Sequence, residues 1–171
     1  NIESTHGQLT DHYDPTTKTL RLSQDVYGSH SLSAVGIACH EAGHAIQHAH
    51  KYAALSLRTA LVPATNLSTG LALPAFILGM FLSIEMFVLL GVVLFSMGVV
   101  FALVTLPVEW DASHRAKSAM VEAGLLSEHE QAGASAVLNA AFLTYLAAAL
   151  TNILILIYYL FQLGILGGSD D

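Results

Sequence analysis

Apolar and polar positions divide this chain into a mixed first third and a long apolar remainder. Residues 1–31 are polar, and Thr10-Asp11-His12-Tyr13-Asp14-Pro15 carries the Asp/Pro chemistry of a turn. Residues 17–22 then alternate, with Leu20 and Leu22 to one side and Thr19 and Arg21 to the other, which predicts a short half-buried strand. Ser31 is placed as the N-cap of a helix expected over residues 32–50. Residues 61–83 are apolar, softened by Thr65, Asn66, Ser68 and Thr69. Ile84-Glu85-Met86 interrupts, and residues 87–107 are apolar again without one charge. A helix needs about 20 apolar residues to cross a bilayer, so this stretch predicts a hairpin of two spans with Glu85 at its watery tip. Pro63 and Pro74 are tolerated in the first span as kinks. A new helix is expected to start at Pro107 and to end at Gly124. Ser127-Glu128-His129-Glu130 fits a capping box for the helix leading into a third span, residues 140–163, where Tyr158, Tyr159 and Phe161 are placed like an interfacial belt.

Composition supports the membrane reading. The 171 residues are 54% hydrophobic and 11% charged, against about 25% charged in an ordinary soluble domain. With six Lys and Arg, unclustered, and a net charge of -7, the chain has no basic face for nucleic acid. Its single cysteine, Cys39, excludes an internal disulfide framework and reads as a small buried hydrophobe. The first residue is Asn1 rather than Met, so an upstream segment is expected to be missing from the sequence. Lys18, Arg21, Lys51 and Arg58 precede the first span, and Arg115 and Lys117 lie between the second and third. All six therefore fall on one side of the membrane, opposite Glu85 and the Asp170-Asp171 tail, and the positive-inside rule makes that side cytoplasmic.

Chemistry concentrates in Cys39-His40-Glu41-Ala42-Gly43-His44-Ala45, which holds the pattern H-E-x-x-H within the expected helix. Positions i and i+4 lie about 40° apart on a helix, so His40 and His44 point the same way and can share one Zn²⁺. Glu41 lies about 100° round, beside such a metal, where a general base for an activated water must sit. With nine His and seven Glu, chance supplies roughly 0.02 such matches, so context has to decide. A third protein ligand is needed. His50 has the spacing of the longer pattern H-E-x-x-H-x-x-G-x-x-H, but Gln47 stands where that pattern turns on glycine. His48 is some 12 Å along the axis from His40, too far for one ion, so both read as flanking residues. His6, His12 and His30 read as surface or turn histidines. A carboxylate in Pro107-Val108-Glu109-Trp110-Asp111-Ala112-Ser113-His114-Arg115 would complete a His₂Glu-type site with an open position, and spacing alone leaves Glu109 and Asp111 open. Asp111 can also serve its helix by pairing with Arg115.

Three blocks together carry a resemblance: His40 to His48, Gly7-Gln8-Leu9-Thr10-Asp11-His12-Tyr13-Asp14-Pro15, and Leu106 to Ser113. Across nearly its whole length the chain resembles the bacterial membrane neutral zinc metallopeptidases of the YugP type, whose members usually begin with a further transmembrane helix. More distantly it is similar to the gluzincin membrane proteases of the HtpX and prenyl-protein (CAAX) types. That resemblance implies Glu109 as the third zinc ligand. It also implies an aspartate supporting the first histidine at the position where this chain has Ser113, which puts that support in doubt or passes it to another acid.

The expected fold class is mainly α, an integral membrane helical bundle of about three transmembrane helices with a small zincin-like cytoplasmic part carrying the H-E-x-x-H helix and a short β element. Its expected segments are residues 1–60 (zincin part), 61–107 (transmembrane hairpin), 108–135 (cytoplasm-facing helical part with the third ligand) and 136–171 (third span and acidic tail). The expected function is a zinc-dependent endopeptidase of the bacterial plasma membrane with its site facing the cytoplasm, one Zn²⁺ per chain on His40, His44 and Glu109, and Glu41 as general base. Partners would be a peptide or protein substrate and the lipid bilayer, with an oligomer or membrane partner open. The strand at 17–22 is the candidate edge for pairing an extended substrate, and a strand that only packs the domain together is an equal alternative. Tyr145, Asn139, His114 and Arg115 are chemical candidates for stabilising the oxyanion. Three rivals are weaker. An intramembrane protease of the site-2 type would need a less polar setting around His40, and a metal transporter would need His, Asp or Lys within the spans. A silent zinc-containing scaffold or regulator would have no use for Glu41.

Overall fold

The computed structural model describes residues 1–164, so the Asp170-Asp171 tail lies outside the described residues. In chain order the elements are β1 (Ile2–Thr5), β2 (His12–Asp14), β3 (Thr19–Ser23), α1 (Gln24–Tyr27), α2 (Leu32–Ala49), α3 (Ala53–Leu82), α4 (Glu85–Glu122) and α5 (Glu128–Gln162). The fold is mainly helical with one small sheet, and α3, α4 and α5 are each long and apolar enough to cross a membrane.

The chain forms two compact units. The first combines Asn1–Ser56 with Pro107–Thr144. Its sheet has the order β1-β3-β2, with β1 parallel and β2 antiparallel to β3. The strand expected at 17–22 is therefore the centre of a sheet and not an edge: both its ladders are occupied, and it cannot take a further strand. Thr19 is buried along with Leu22 and Ser23, so the expected two-sided alternation is only partly realised. The turn expected at Thr10 to Pro15 is split. His12–Asp14 forms β2, and the turn follows, with Asp14 Oδ1 accepting from the Thr16 backbone N–H at 2.8 Å. The Thr17 hydroxyl donates to Asp14 Oδ2 at 2.8 Å and Arg21 at 2.6 Å, and these hydrogen bonds, the Thr17 one foremost, hold the Asp14 carboxyl well below its usual range.

Helix α2 starts where Ser31 places it, the hydroxyl accepting from the Ala34 N–H at 3.2 Å. One side of α2 packs Ala34, with Ile37 and Ala38, against Leu22 and Val26. Another packs Val35 and Cys39 against Ala116 and Met120 of α4 and Ala134 and Leu138 of α5. Cys39 is thus a half-buried packing residue, and burial raises its thiol pKa. Gly43 lets α2 approach α4 closely, because a Cβ there would overlap the Ala112 carbonyl.

The second unit combines Leu57–Leu106 with the chain from Tyr145. The α3–α4 hairpin turns at Ser83 and Ile84, with Ser83 at φ 57°. Phe76 packs on Tyr159 at 4.5 Å between ring centroids. Two expectations about helix ends are corrected. Helix α3 begins at Ala53, eight residues before the apolar run (residue 61), because Ser56, Arg58 and Thr59 are helix-compatible though polar. No helix starts at Pro107: α4 runs unbroken from Glu85 to Glu122 with Pro107 inside it. Proline removes one backbone donor, but a long helix can carry that loss as a local distortion when its neighbours hold both halves. The later punctuation is as expected. Gly124 takes φ 60° just past α4, and Glu130 Oε2 accepts from the Ser127 N–H and hydroxyl at 2.9 and 2.6 Å.

Candidate metal centre

The first unit brings residues 69 apart in sequence into contact. Helix α2 presents His40 and His44 one turn apart, their ring centroids 4.8 Å apart and nearly perpendicular. Helix α4 presents Glu109, which is 1% exposed. Its Oε2 lies 3.1 Å from His40 Nε2 and 3.6 Å from His44 Nε2. Among the described residues, these three offer ligand atoms that all lie within 4.8 Å of one another. Two donors each about 2.1 Å from a tetrahedral ion stand roughly 3.4 Å apart, so the Oε2 distances suit one shared metal. The donor set, two imidazole nitrogens and a carboxylate oxygen, is that of a catalytic zinc site with an open fourth position.

Each of the two histidines is held from behind. Ser113 Oγ lies 3.2 Å from His40 Nδ1, one turn after Glu109 on α4. The support that the sequence leaves in doubt is therefore made at the expected position, by a hydroxyl. Gln47 Oε1 lies 3.0 Å from His44 Nδ1, and Gln47 Nε2 donates to the Val108 carbonyl and to Asp111 Oδ2, each at 2.8 Å. Asp111 accepts from Arg115 Nε at 2.6 Å, the pairing expected of it, and points to Gln47 and Arg115. Gln47, with no exposed surface, is the residue that sequence reasoning missed. The one signal for it was a long amide in the last turn of a helix, too common a feature to single out.

Glu41 is 8% exposed beside this cluster. Burial raises its carboxyl pKa above the ordinary 4.5; His44 and His40 counter part of that, Glu109 adds to it, and the Tyr13 backbone N–H counters a little more. Burial lowers the pKa of His44, but the hydrogen bond and charge of Glu109 and the charge of Glu41 outweigh it, so the net direction is up. Tyr13 lies on β2, an edge strand of the sheet that packs against α2.

The flanking histidines stay outside the cluster. Tyr13 Oη lies 2.8 Å from His48 Nδ1, and Arg115 reaches His50 Nδ1 at 3.0 Å. His6, His12 and His30 are exposed, as expected. Of the oxyanion candidates, Arg115 is engaged by Asp111, His50 and the Tyr52 ring, and Tyr145 belongs to the second unit. Asn139 accepts from Lys117 Nζ at 2.7 Å. Together with His114, Ser113, Trp110 and Phe142, these two line a small open cleft.

Comparison with known proteins agrees with this geometry. Residues 1–164 match the family described as "Putative neutral zinc metallopeptidase". The chain is 45% identical over 170 residues to "Putative membrane protease YugP" of Bacillus subtilis (strain 168), covering 99% of this chain and 75% of that one. No solved structure matches it. A buried His₂Glu cluster on two packed helices, three membrane-length helices and a family match over nearly every residue converge, and the chain belongs to the neutral zinc metallopeptidase family that the match describes.

Proposed function

We propose that this chain is a zinc-dependent endopeptidase held in the bacterial plasma membrane with its site facing the cytoplasm. The observation that carries the reading is the convergence of His40, His44 and Glu109, from two helices, around a volume that suits one ion, with Glu41 beside it. His40, His44 and Glu109 would hold one Zn²⁺. When bound, the ion would acidify a water and polarise the scissile carbonyl.

The chain's own residues would supply the rest. Glu41, poised by burial toward the proton-accepting range, would take the proton of the attacking water and hand it to the leaving amine. Ser113 and Gln47 would hold the two imidazoles with their Nε2 atoms toward Glu109. An extended peptide would pair with β2, the edge strand that packs against α2, in place of the central β3. Lys18, Arg21, Lys51, Arg115 and Lys117 all lie in the first unit with the site, which supports the cytoplasmic orientation by the positive-inside rule.

The test is hydrolysis of an unstructured protein by the detergent-purified chain. Chelator-sensitive cleavage that disappears in Glu41→Gln supports the reading. A zinc-loaded, folded chain without cleavage would favour the silent scaffold.

A further inference from the structure

We propose that Gln47 is the positioning residue that fixes the tautomer and aim of His44, and that α4 sets it through Val108 and Asp111. This deepens the reading of His44 as a metal ligand and rests on it.

The argument is one of donors and acceptors. Gln47 Nε2 lies 2.8 Å from the Val108 carbonyl oxygen and 2.8 Å from Asp111 Oδ2. A carbonyl can only accept, and so can a carboxylate ionised beside Arg115 Nε at 2.6 Å. The two hydrogens of the amide nitrogen are therefore both used. The amide cannot be reversed, since its oxygen would then face two acceptors with no proton between them. Oε1 must face His44 Nδ1, at 3.0 Å, and an amide oxygen can only accept. Nδ1 therefore carries the proton. A neutral imidazole has one N–H, so once His44 gives up its second proton to a metal, Nε2 is the nitrogen left to bind it, on the side of Glu109.

The same bridge fixes position as well as tautomer. Val108 and Asp111 flank Glu109 on α4, while Gln47 lies three residues after His44 on α2. One buried amide thus ties the histidine of one helix to the turn of the other that carries the third ligand. Leucine at position 47 would fill similar space and make none of the three bonds. Outer residues of this kind change metal affinity by about 10–100-fold when removed.

Two measurements on the full chain test this. Zinc affinity, by competition with a chelating dye, should fall at least ten-fold in Gln47→Leu while helix content is retained; a smaller loss would overturn the proposal. The second needs no variant of Gln47. In zinc-loaded protein labelled with ¹⁵N-histidine, the His44 ring nitrogens, identified by comparison with His44→Gln, should report a proton on Nδ1 and zinc on Nε2. Zinc on Nδ1 would overturn the proposal even if Gln47→Leu failed to fold. A chain with the Nδ1–H tautomer that cleaves no peptide would refute the peptidase and leave the role of Gln47 standing.

Discussion

Gly43 offers the sharpest mechanical test of the site, because it sits between the two zinc-motif histidines where α2 lies close against the α4 backbone. In Gly43→Ala the new methyl would overlap the Ala112 carbonyl oxygen and stand 3.0 Å from its carbon. Both atoms are backbone inside a helix, so neither can rotate away, and the relief has to come from the helices moving apart. Overpacking of this kind costs about 1–3 kcal/mol. Alanine in place of helical glycine returns roughly 0.5–1 kcal/mol, so the net loss of stability should be about 1–2 kcal/mol. The metal centre should suffer more than the fold. Glu109 lies one helical turn before Ala112 and Ser113 on the helix that is displaced, whereas metal–ligand distances tolerate only about 0.2 Å. The assay is paired: a thermal melt of the metal-free protein and a zinc titration of the same sample. A modestly lowered midpoint with zinc affinity down ten-fold or more is expected. Wild-type values for both would refute the close contact, and with it the placement of Glu109 against the histidines.

Other substitutions separate the roles of neighbouring groups. Glu109→Gln should lose zinc at concentrations that saturate the parent, whereas Asp111→Asn should retain most of it, as metal analysis after dialysis will show. Ser113→Ala should weaken zinc by about ten-fold, at the low end for an outer partner of a ligating histidine, read by the same competition assay. Glu41→Gln should bind zinc normally and cleave nothing. It should also raise the melting point of the chelator-treated protein. Burial lifts the Glu41 pKa above 4.5, so as pH rises past that value the unfolded chain releases a proton that the folded chain still holds. Stability falls with pH through that window, and glutamine escapes the fall. The variant's advantage should be present at pH 8 and absent at pH 4; the reverse order would contradict a buried base.

How much of this was legible in the sequence follows from which interactions are local. Helix α2 with its Ser31 cap, the hairpin at Glu85, the capping box at Ser127 and the Gly124 stop are all encoded within a few residues, and all formed as expected. β1 and β2 were missed. They are four and three residues long, neither with a buried residue, and take their structure from pairing with β3, which in β1 means partners 18 residues away. The same non-locality hid that β3 is central. Pro107 misled because a helix of 38 residues carries it in its interior without a break. At the site, His40 and His44 follow from helical period alone, but Glu109 against Asp111 needed the family resemblance, and Gln47 needed coordinates. Its significance lies in three partners, two of them more than 60 residues away.

The central claim is that three side chains hold one catalytic zinc and that Glu41 works beside it. The most direct measurement is zinc content and proteolysis on one detergent-purified preparation of the parent chain and Glu41→Gln. The account predicts one zinc per chain in both, with chelator-sensitive cleavage of an unstructured protein in the parent only. Equal cleavage by Glu41→Gln, or cleavage that survives complete removal of the metal, would contradict it.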